Sequence, residues 1–135
     1  MWREELEGNK FLSMLFDDVA LFDGMVLCGV YVVGSGQMID VYFDIPTPVD
    51  HPPKKWQQQG FTFARVDITF DVIREFSVRL DRPYAAVDAE FYEFNNNHVR
   101  FVAHGVDADL DIASYGAFIQ RIRGVRAVGD PFRVW

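Results

Sequence analysis

The sequence predicts a mainly β protein: an antiparallel β-sandwich or a partly open barrel of about seven to eight strands, with one short N-terminal helix. Two observations predict this class. Apolar and polar residues alternate over seven or eight short segments, which is typical of strands with one buried face. Turn residues separate the segments, and no helix lies between them to make the crossover that parallel strands require. The length of 135 residues fits a single domain, residues 1–135, with one core.

The first predicted element is a helix over residues 9–17. Leu12 and Leu15 recur at helical spacing, and Asn9 is a suitable N-cap. Asp17 would lie at the C-terminal end, where the helix dipole disfavours negative charge. We therefore expect the helix to stop there.

Strands follow from about residue 25 onward. The first two flank a glycine-containing loop at 34–36, as in a β-hairpin. Residues 118–125 fit either a last strand or a short helix, and their spacing does not decide between the two. The predicted strands before that segment are 26–33, 37–45, 61–72, 76–80, 87–92, 98–104 and 106–112.

The only long connection is the Pro-rich segment 46–60, which holds four of the six prolines. Loops of this length are often functional or clamped to the domain. Within it, Trp56 follows two lysines. Trp56 either folds back onto the core as an apolar filler or faces a partner, because tryptophan is enriched among interface anchors.

The charge is unevenly distributed. Residues 1–119 carry 19 acidic and 9 basic residues, whereas residues 120–135 carry four arginines and one aspartate. An acidic body repels a nucleic acid backbone and speeds encounter with a basic partner. Solubility alone is the alternative explanation, because many proteins carry net charge for that reason.

The stretch VDADLDIA places Asp107, Asp109 and Asp111 at alternate positions. An EF-hand is excluded, because the sixth position of the loop must be glycine and is Ile112 here. On a strand the three carboxylates project from one face, about 6 to 7 Å apart. They repel one another unless water, cations or a basic partner screens them. A solvated strand face and a partner-binding face are both consistent with this pattern, and a specific metal site is not favoured.

A second acidic row is predicted on another strand, where Asp88 and Glu90 alternate with apolar residues and Tyr92 follows them. Carboxylates steer a basic partner, and tyrosine adds contact area at low entropic cost. Residue spacing does not show whether this row and the row at 107–111 lie on one sheet.

No catalytic, cofactor or metal site is predicted. His98 and His104 would share one face of a strand, but two imidazoles without a third ligand make a poor zinc site. His51 lies in the Pro-rich loop. Cys28 lies in an apolar strand, where a thiol is usually inert. No G-x-S-x-G elbow or phosphate loop is present in the sequence, so we expect a protein that is not an enzyme.

The longest apolar run, residues 25–33, is far shorter than the about 20 residues needed to span a bilayer. The first ten residues lack the apolar region of a secretory signal, and a single cysteine permits no internal disulfide. These observations predict a cytoplasmic protein with no membrane partner.

Three segments carry a family resemblance: FLSMLFDDVALFDGMVL at 11–27, VYFDIPTPVDHPPKKWQQQGF at 41–61 and ARVDITFDVI at 64–73. Together they resemble the immunity protein 50 family of bacterial polymorphic toxin systems. The resemblance covers roughly the first 75 residues. They are patterns of hydrophobic strands around a Pro-Lys-Trp loop and carry no catalytic residues.

The resemblance implies a small cytoplasmic protein that binds a cognate toxin and blocks it, and it supplies no fixed set of binding residues. From the residues themselves we expect the partner-binding surface to include Asp107, Asp109, Asp111, Asp88, Glu90, Tyr92 and Trp56. The toxin is expected to be basic. The alternatives are a small ligand-binding β-barrel-like protein or enzyme with an internal pocket, and a homodimer formed through an exposed sheet face or edge.

Overall fold

The computed structural model describes residues 24–35, 37–94 and 98–130. The helix predicted for residues 9–17 lies outside these residues. The elements in chain order are β1 (Met25–Val33), β2 (Met38–Asp44), α1 (Lys54–Gln59), β3 (Phe63–Leu80), β4 (Ala85–Phe94), β5 (His98–His104) and β6 (Ala108–Val125).

The six strands form one sheet that closes on itself in the order β1-β2-β3-β6-β5-β4. Every neighbouring pair is antiparallel. The closing pair, β1 with β4, is short, because it runs only from Met25 opposite Val87 to Leu27 opposite Ala85. The mainly β, antiparallel class is therefore confirmed. The structure has one closed sheet, whereas the sequence predicted either a sandwich or a partly open barrel.

Six strands are described where the sequence predicted seven to eight, because two long strands each unite two predicted ones. β3 covers most of the predicted strand 61–72 together with 76–80, and β6 covers most of 106–112 together with 118–125. The β3–β6 register shifts between Ile73 and Glu75, and Val72 beside this shift has a φ of 52°. A bulge bends a strand without ending it, although it interrupts the alternation that the sequence shows. Residues 118–125 are strand and not helix.

The interior of the barrel is occupied by the inward-facing apolar residues. Phe101 lies among three other phenylalanines, with ring centroids 5.6 Å from Phe43, 5.3 Å from Phe70 and 5.6 Å from Phe91. Tilted and edge-on ring pairs at such distances are favourable beyond their buried area. The apolar set predicted for the second strand, from Ile39 to Ile45, is buried as expected.

The polar face of β3 is buried in its first half, although the sequence predicted that it faces solvent. Arg65, Asp67 and Thr69 are all 4% exposed or less. Arg65 is compensated by Asp44 on β2: Nε lies 2.6 Å from Oδ1 and Nη2 lies 2.9 Å from Oδ2. This bidentate geometry is the strong form of an arginine–carboxylate pair.

The chain that follows β6 is attached to this buried pair. The Gly129 amide donates to Asp44 Oδ2 at 2.7 Å, and Arg65 Nη2 donates to the Asp130 carbonyl oxygen at 2.7 Å. Each charged group therefore has a further hydrogen-bonding partner, as buried charges require. The buried Arg65–Asp44 pair therefore attaches the segment after β6 to the barrel.

The connection 46–60, predicted as a loop, contains the helix α1. The helix ends at Gln59 and is capped by Gly60, whose φ of 73° is left-handed and whose amide donates to the Gln57 carbonyl. Glycine adopts this C-terminal conformation without strain. The last part of the Pro-rich segment thus forms a short helix, whose Trp56 packs against the core.

Candidate functional site

Asp109 and Asp111 of one predicted acidic row lie on the same outward face of the sheet as the other row, one strand apart, whereas Asp107 precedes β6 and was wrongly predicted to lie on the strand. Asp88 on β4 is opposite His104 on β5, which is opposite Asp109 on β6. Since strands are spaced by about 4.8 Å, the rows run about 10 Å apart. We call this surface the outer acidic face; its residues are Asp88, Glu90, Tyr92, Arg100, Val102, His104, Asp109 and Asp111.

Arginines of neighbouring strands neutralise the row on β6. Asp109 accepts from Arg79 Nε at 2.8 Å, and Asp111 Oδ1 accepts from Arg100 Nε at 3.0 Å. Asp107 precedes β6 and lies 3.9 Å from an Arg82 nitrogen. The repulsion expected within this row is therefore screened by the chain itself.

These contacts keep the β6 carboxylates ionised. Hydrogen bonds from His104 and then from Arg79 hold the pKa of Asp109 below its usual value. The hydrogen bond from Arg100 does the same for the pKa of Asp111. Charge-assisted hydrogen bonds favour the ionised form of the acceptor. The row is thus a fixed alternation of carboxylates and arginines and not a bare anionic strip.

The row on β4 is different, because no described side chain forms an ion pair with Asp88 or Glu90. Asp88 accepts from the Gly24 amide at 2.9 Å, and Glu90 accepts from the Tyr92 hydroxyl. This second hydrogen bond raises the pKa of Tyr92. A shallow depression of about 180 Å³ lies over the two carboxylates and is lined also by Tyr92, Val102 and His104. The uncompensated negative charge of the face is therefore on β4.

Trp56 lies far from the outer acidic face. Together with Phe61 it packs near Gly124, close to the end of β6, whereas Asp109 and Asp111 lie near its start. A side chain at position 124 would place its Cβ 2.8 Å from the indole ring and 2.6 Å from Phe61. Trp56 is half-buried and packs against the core, which favours the interpretation of an apolar filler. The structure thus does not bring Trp56 together with the acidic rows.

Replacing Trp56 by alanine tests the two interpretations of this residue. If the indole fills the end of the barrel, we expect Trp56→Ala to lower the free energy of unfolding by about 2 kcal/mol, measured by urea denaturation. Lys55→Ala is the matched control, because Lys55 is an exposed neighbour in the same helix and should change stability by less than about 0.5 kcal/mol. Equal stability of both variants would contradict the filler interpretation.

Sequence reasoning missed the partners of the acidic rows. The alternation around Arg79 and Arg100 marks both as outward-facing, but it does not show which strand lies beside each one. Asp67 was also missed: it alternates with Val66 and Ile68 in the predicted strand 61–72, and such a position predicts exposure. Burial, and next the charge of Asp40, raises the pKa of Asp67 to about 6. Its Oδ1 is buried without a hydrogen-bonding partner.

The other chemical candidates gain no support as a site. Within the described ranges, no three His, Cys, Asp or Glu side chains are grouped as metal ligands would be. Cys28 is half-buried beside the bulge of β1, and burial together with nearby Asp44 raises its pKa to about 12. Such a thiol stays protonated and is a poor nucleophile at neutral pH. His98 contacts Arg74 and Tyr115.

Comparison with known protein families, with characterised proteins and with solved structures gave no match for this chain. In the part of the chain that the structure describes, no helix has the length and apolarity required to cross a membrane.

Proposed function

We propose that the chain is a non-enzymatic, cytoplasmic immunity protein that binds a cognate, basic bacterial toxin and occludes its active or binding surface. The observation that carries the proposal is the outer acidic face, where two predicted rows from different strands share one surface. Adjacent antiparallel strands hold these side chains, so little conformational entropy is lost when a partner docks.

The β4 row is the part of the face that attracts a cation of the toxin. Asp88 and Glu90 have no ion-pair partner among the described side chains, so a lysine or arginine of the toxin adds a new pair. At Asp109 and Asp111 a toxin cation would replace an arginine that is already present. Exchanging one exposed pair for another contributes little free energy. We therefore assign steering to β4, with Tyr92, 44% exposed, as the contact anchor.

The β6 row supplies specificity. Its carboxylates alternate with Arg79, Arg100 and His104, so it presents both signs of charge in fixed positions. A partner must match this pattern, because like charges placed opposite one another cost binding energy. Immunity proteins must distinguish their toxin from related ones, and a mixed pattern serves that purpose better than a uniform charge.

The packed interior favours action at the surface over the alternative of an internal ligand site. The centre of the barrel is occupied by the mutually contacting rings around Phe101. A bound ligand would have to displace these side chains from a close-packed core. The depression over Glu90 and a second one, between Trp56 and the end of β6, both lie at the outside of the barrel.

Coexpression with the toxin encoded beside the gene of this protein tests the proposal. We expect the wild-type chain to restore growth and to form a soluble complex with the toxin. Asp88→Asn combined with Glu90→Gln should weaken the complex by about tenfold, mainly through slower association at low salt. Continued killing by the toxin, despite abundant folded wild-type protein, would rule out the proposal.

The matched comparison is made one charge at a time. Asp88→Asn and Asp50→Asn each remove one exposed carboxylate, but Asp50 lies in the connection between β2 and α1. We expect only Asp88→Asn to slow association at constant ionic strength. Equal effects of the two variants would show that net charge, and not this face, determines binding.

A further inference from the structure

The second half of β3 has one edge that no strand of the described residues pairs with. β2 pairs with β3 only as far as Asp71, which is opposite Met38. From Ile73 to Leu80 the strand pairs with β6 on one side, and among the described residues no strand pairs with it on the other. All residues from 74 to 80 are exposed. A row of backbone donors and acceptors is thus available for another strand.

This edge carries apolar side chains where natural edges usually carry charge. Phe76, Val78 and Leu80 are 41%, 46% and 46% exposed. They lie on the same side of the sheet as the core, because they pair with the buried residues Ile112, Leu110 and Ala108. Proteins usually protect such edges with lysine, proline or a covering element. We call residues 74–80 the β3 edge.

We propose that the β3 edge pairs antiparallel with the same edge of a second copy of this chain, forming a twofold dimer with a continuous sheet. In a register centred on Ser77, Phe76 of each copy is opposite Val78 of the other. Glu75 of each copy is opposite Arg79 of the other. Positions 75–79 are therefore self-complementary in both hydrophobicity and charge, as a twofold interface requires, and only the outermost pair, Arg74 opposite Leu80, adds no match.

The charges of this register support a second copy over an unrelated strand. Glu75 forms no ion pair with any described side chain, and the dimer supplies one. Arg79 contacts Asp81 and Asp109 but remains 43% exposed, so it has surface left for a further carboxylate. Because the contact is twofold, each favourable pair occurs twice.

The dimer would place two outer acidic faces on one extended surface. Arg79 belongs to the β3 edge and also contacts Asp109 of that face. The proposal does not depend on what the outer acidic face binds, because the pairing residues are on β3. Failure of toxin binding would therefore leave the dimer unaffected.

Sedimentation equilibrium of the full chain over a range of concentrations tests the dimer. We expect the wild-type chain to dimerise and Val78→Lys to raise the dimer dissociation constant by about tenfold or more, because a lysine at an edge opposes pairing. Val32→Lys is the matched control: Val32 is 51% exposed but lies on β1, which is not a neighbour of β3 in the sheet. It should leave the dimer unchanged. A wild-type chain that remains monomeric throughout overturns the proposal.

A charge-swap mixture tests the register without relying on any single variant. Glu75→Arg places arginine opposite arginine in its own dimer, and Arg79→Glu places two carboxylates opposite each other. Each variant alone should dimerise about tenfold more weakly than wild type, and their equimolar mixture should recover association, because opposite charges then face each other at both positions. A mixture that associates no better than the separate variants overturns the register. Association of wild-type chain with the toxin through this edge, in place of a second copy, overturns the dimer.

Discussion

Arg65→Met is expected to lower the free energy of unfolding by about 3 to 5 kcal/mol. The substitution leaves Asp44, which is fully buried, without its cation. Removing one partner of a buried ion pair is costly because the remaining charge stays desolvated. The substitution also removes the donor to the Asp130 carbonyl, so the segment after β6 loses an attachment point. Urea denaturation monitored by circular dichroism gives the measurement.

Two further variants assign this loss to the buried charge. Asp44→Leu combined with Arg65→Met should recover part of the stability, because apolar replacement of both partners removes the uncompensated charge, although the Gly129 amide and the Asp130 carbonyl then lose their partners. Arg79→Met is the control: its pair with Asp109 is 43% and 44% exposed, so the loss should stay below about 1 kcal/mol. A loss for Arg65→Met no larger than that of the control would contradict the explanation.

Asp67→Asn is expected to stabilise the protein at neutral pH. The carboxyl has a pKa of about 6 in the folded chain against an ordinary value of 3.8. A shift of about two units corresponds to about 3 kcal/mol of destabilisation when the group is ionised. The amide removes this charge, and its shape is nearly the same. Above about pH 7 the variant should therefore be the more stable protein by up to about 3 kcal/mol.

The pH dependence distinguishes this cause from a change in packing. A carboxyl with a raised folded pKa destabilises the protein fully above that pKa, and the penalty disappears as the pH falls towards the unfolded pKa. The difference between Asp67→Asn and wild type should thus shrink as the pH falls from about 7 to about 4. Urea denaturation at several pH values measures it. A difference that does not change with pH would contradict the assignment to ionisation.

The alternation of residues was sufficient to predict which side of most strands is buried. Ile39, Val41 and Phe43 alternate with polar residues, and each is fully buried. The number of strands was not predictable, because the irregularity between Ile73 and Glu75 interrupts alternation just as a turn does. Closure of the sheet could not be predicted either, because it depends on the pairing of strands that are distant in the sequence, such as β1 and β4.

The acidic residues of the candidate site could be predicted from the sequence, but the ion pairs that neutralise some of them could not. Asp88 and Asp109 each alternate with apolar residues along their strands, and this alternation correctly predicted that both side chains face outward. Their position on one surface depends on β5 lying between them, and no local pattern shows this order. Arg79 reaches Asp109 from a strand that precedes it by about 30 residues. Ion pairs of this kind depend on which strands lie side by side in the fold. The sequence therefore predicted more unpaired negative charge than the structure shows.

The long pairing of β3 with β6 also has a consequence for the synthesis of the chain. It joins Phe63 to Val125 at one end and Leu80 to Ala108 at the other, so every contact in it spans many residues. Non-local pairings of this kind form slowly, since a long loop must close before they do. On the ribosome, β3 emerges well before its partner strand. The edge of β3 that faces β6 is therefore expected to stay unpaired until residues 108–125 leave the exit tunnel, whereas β2, which emerges earlier, can already pair with the other edge of its first half.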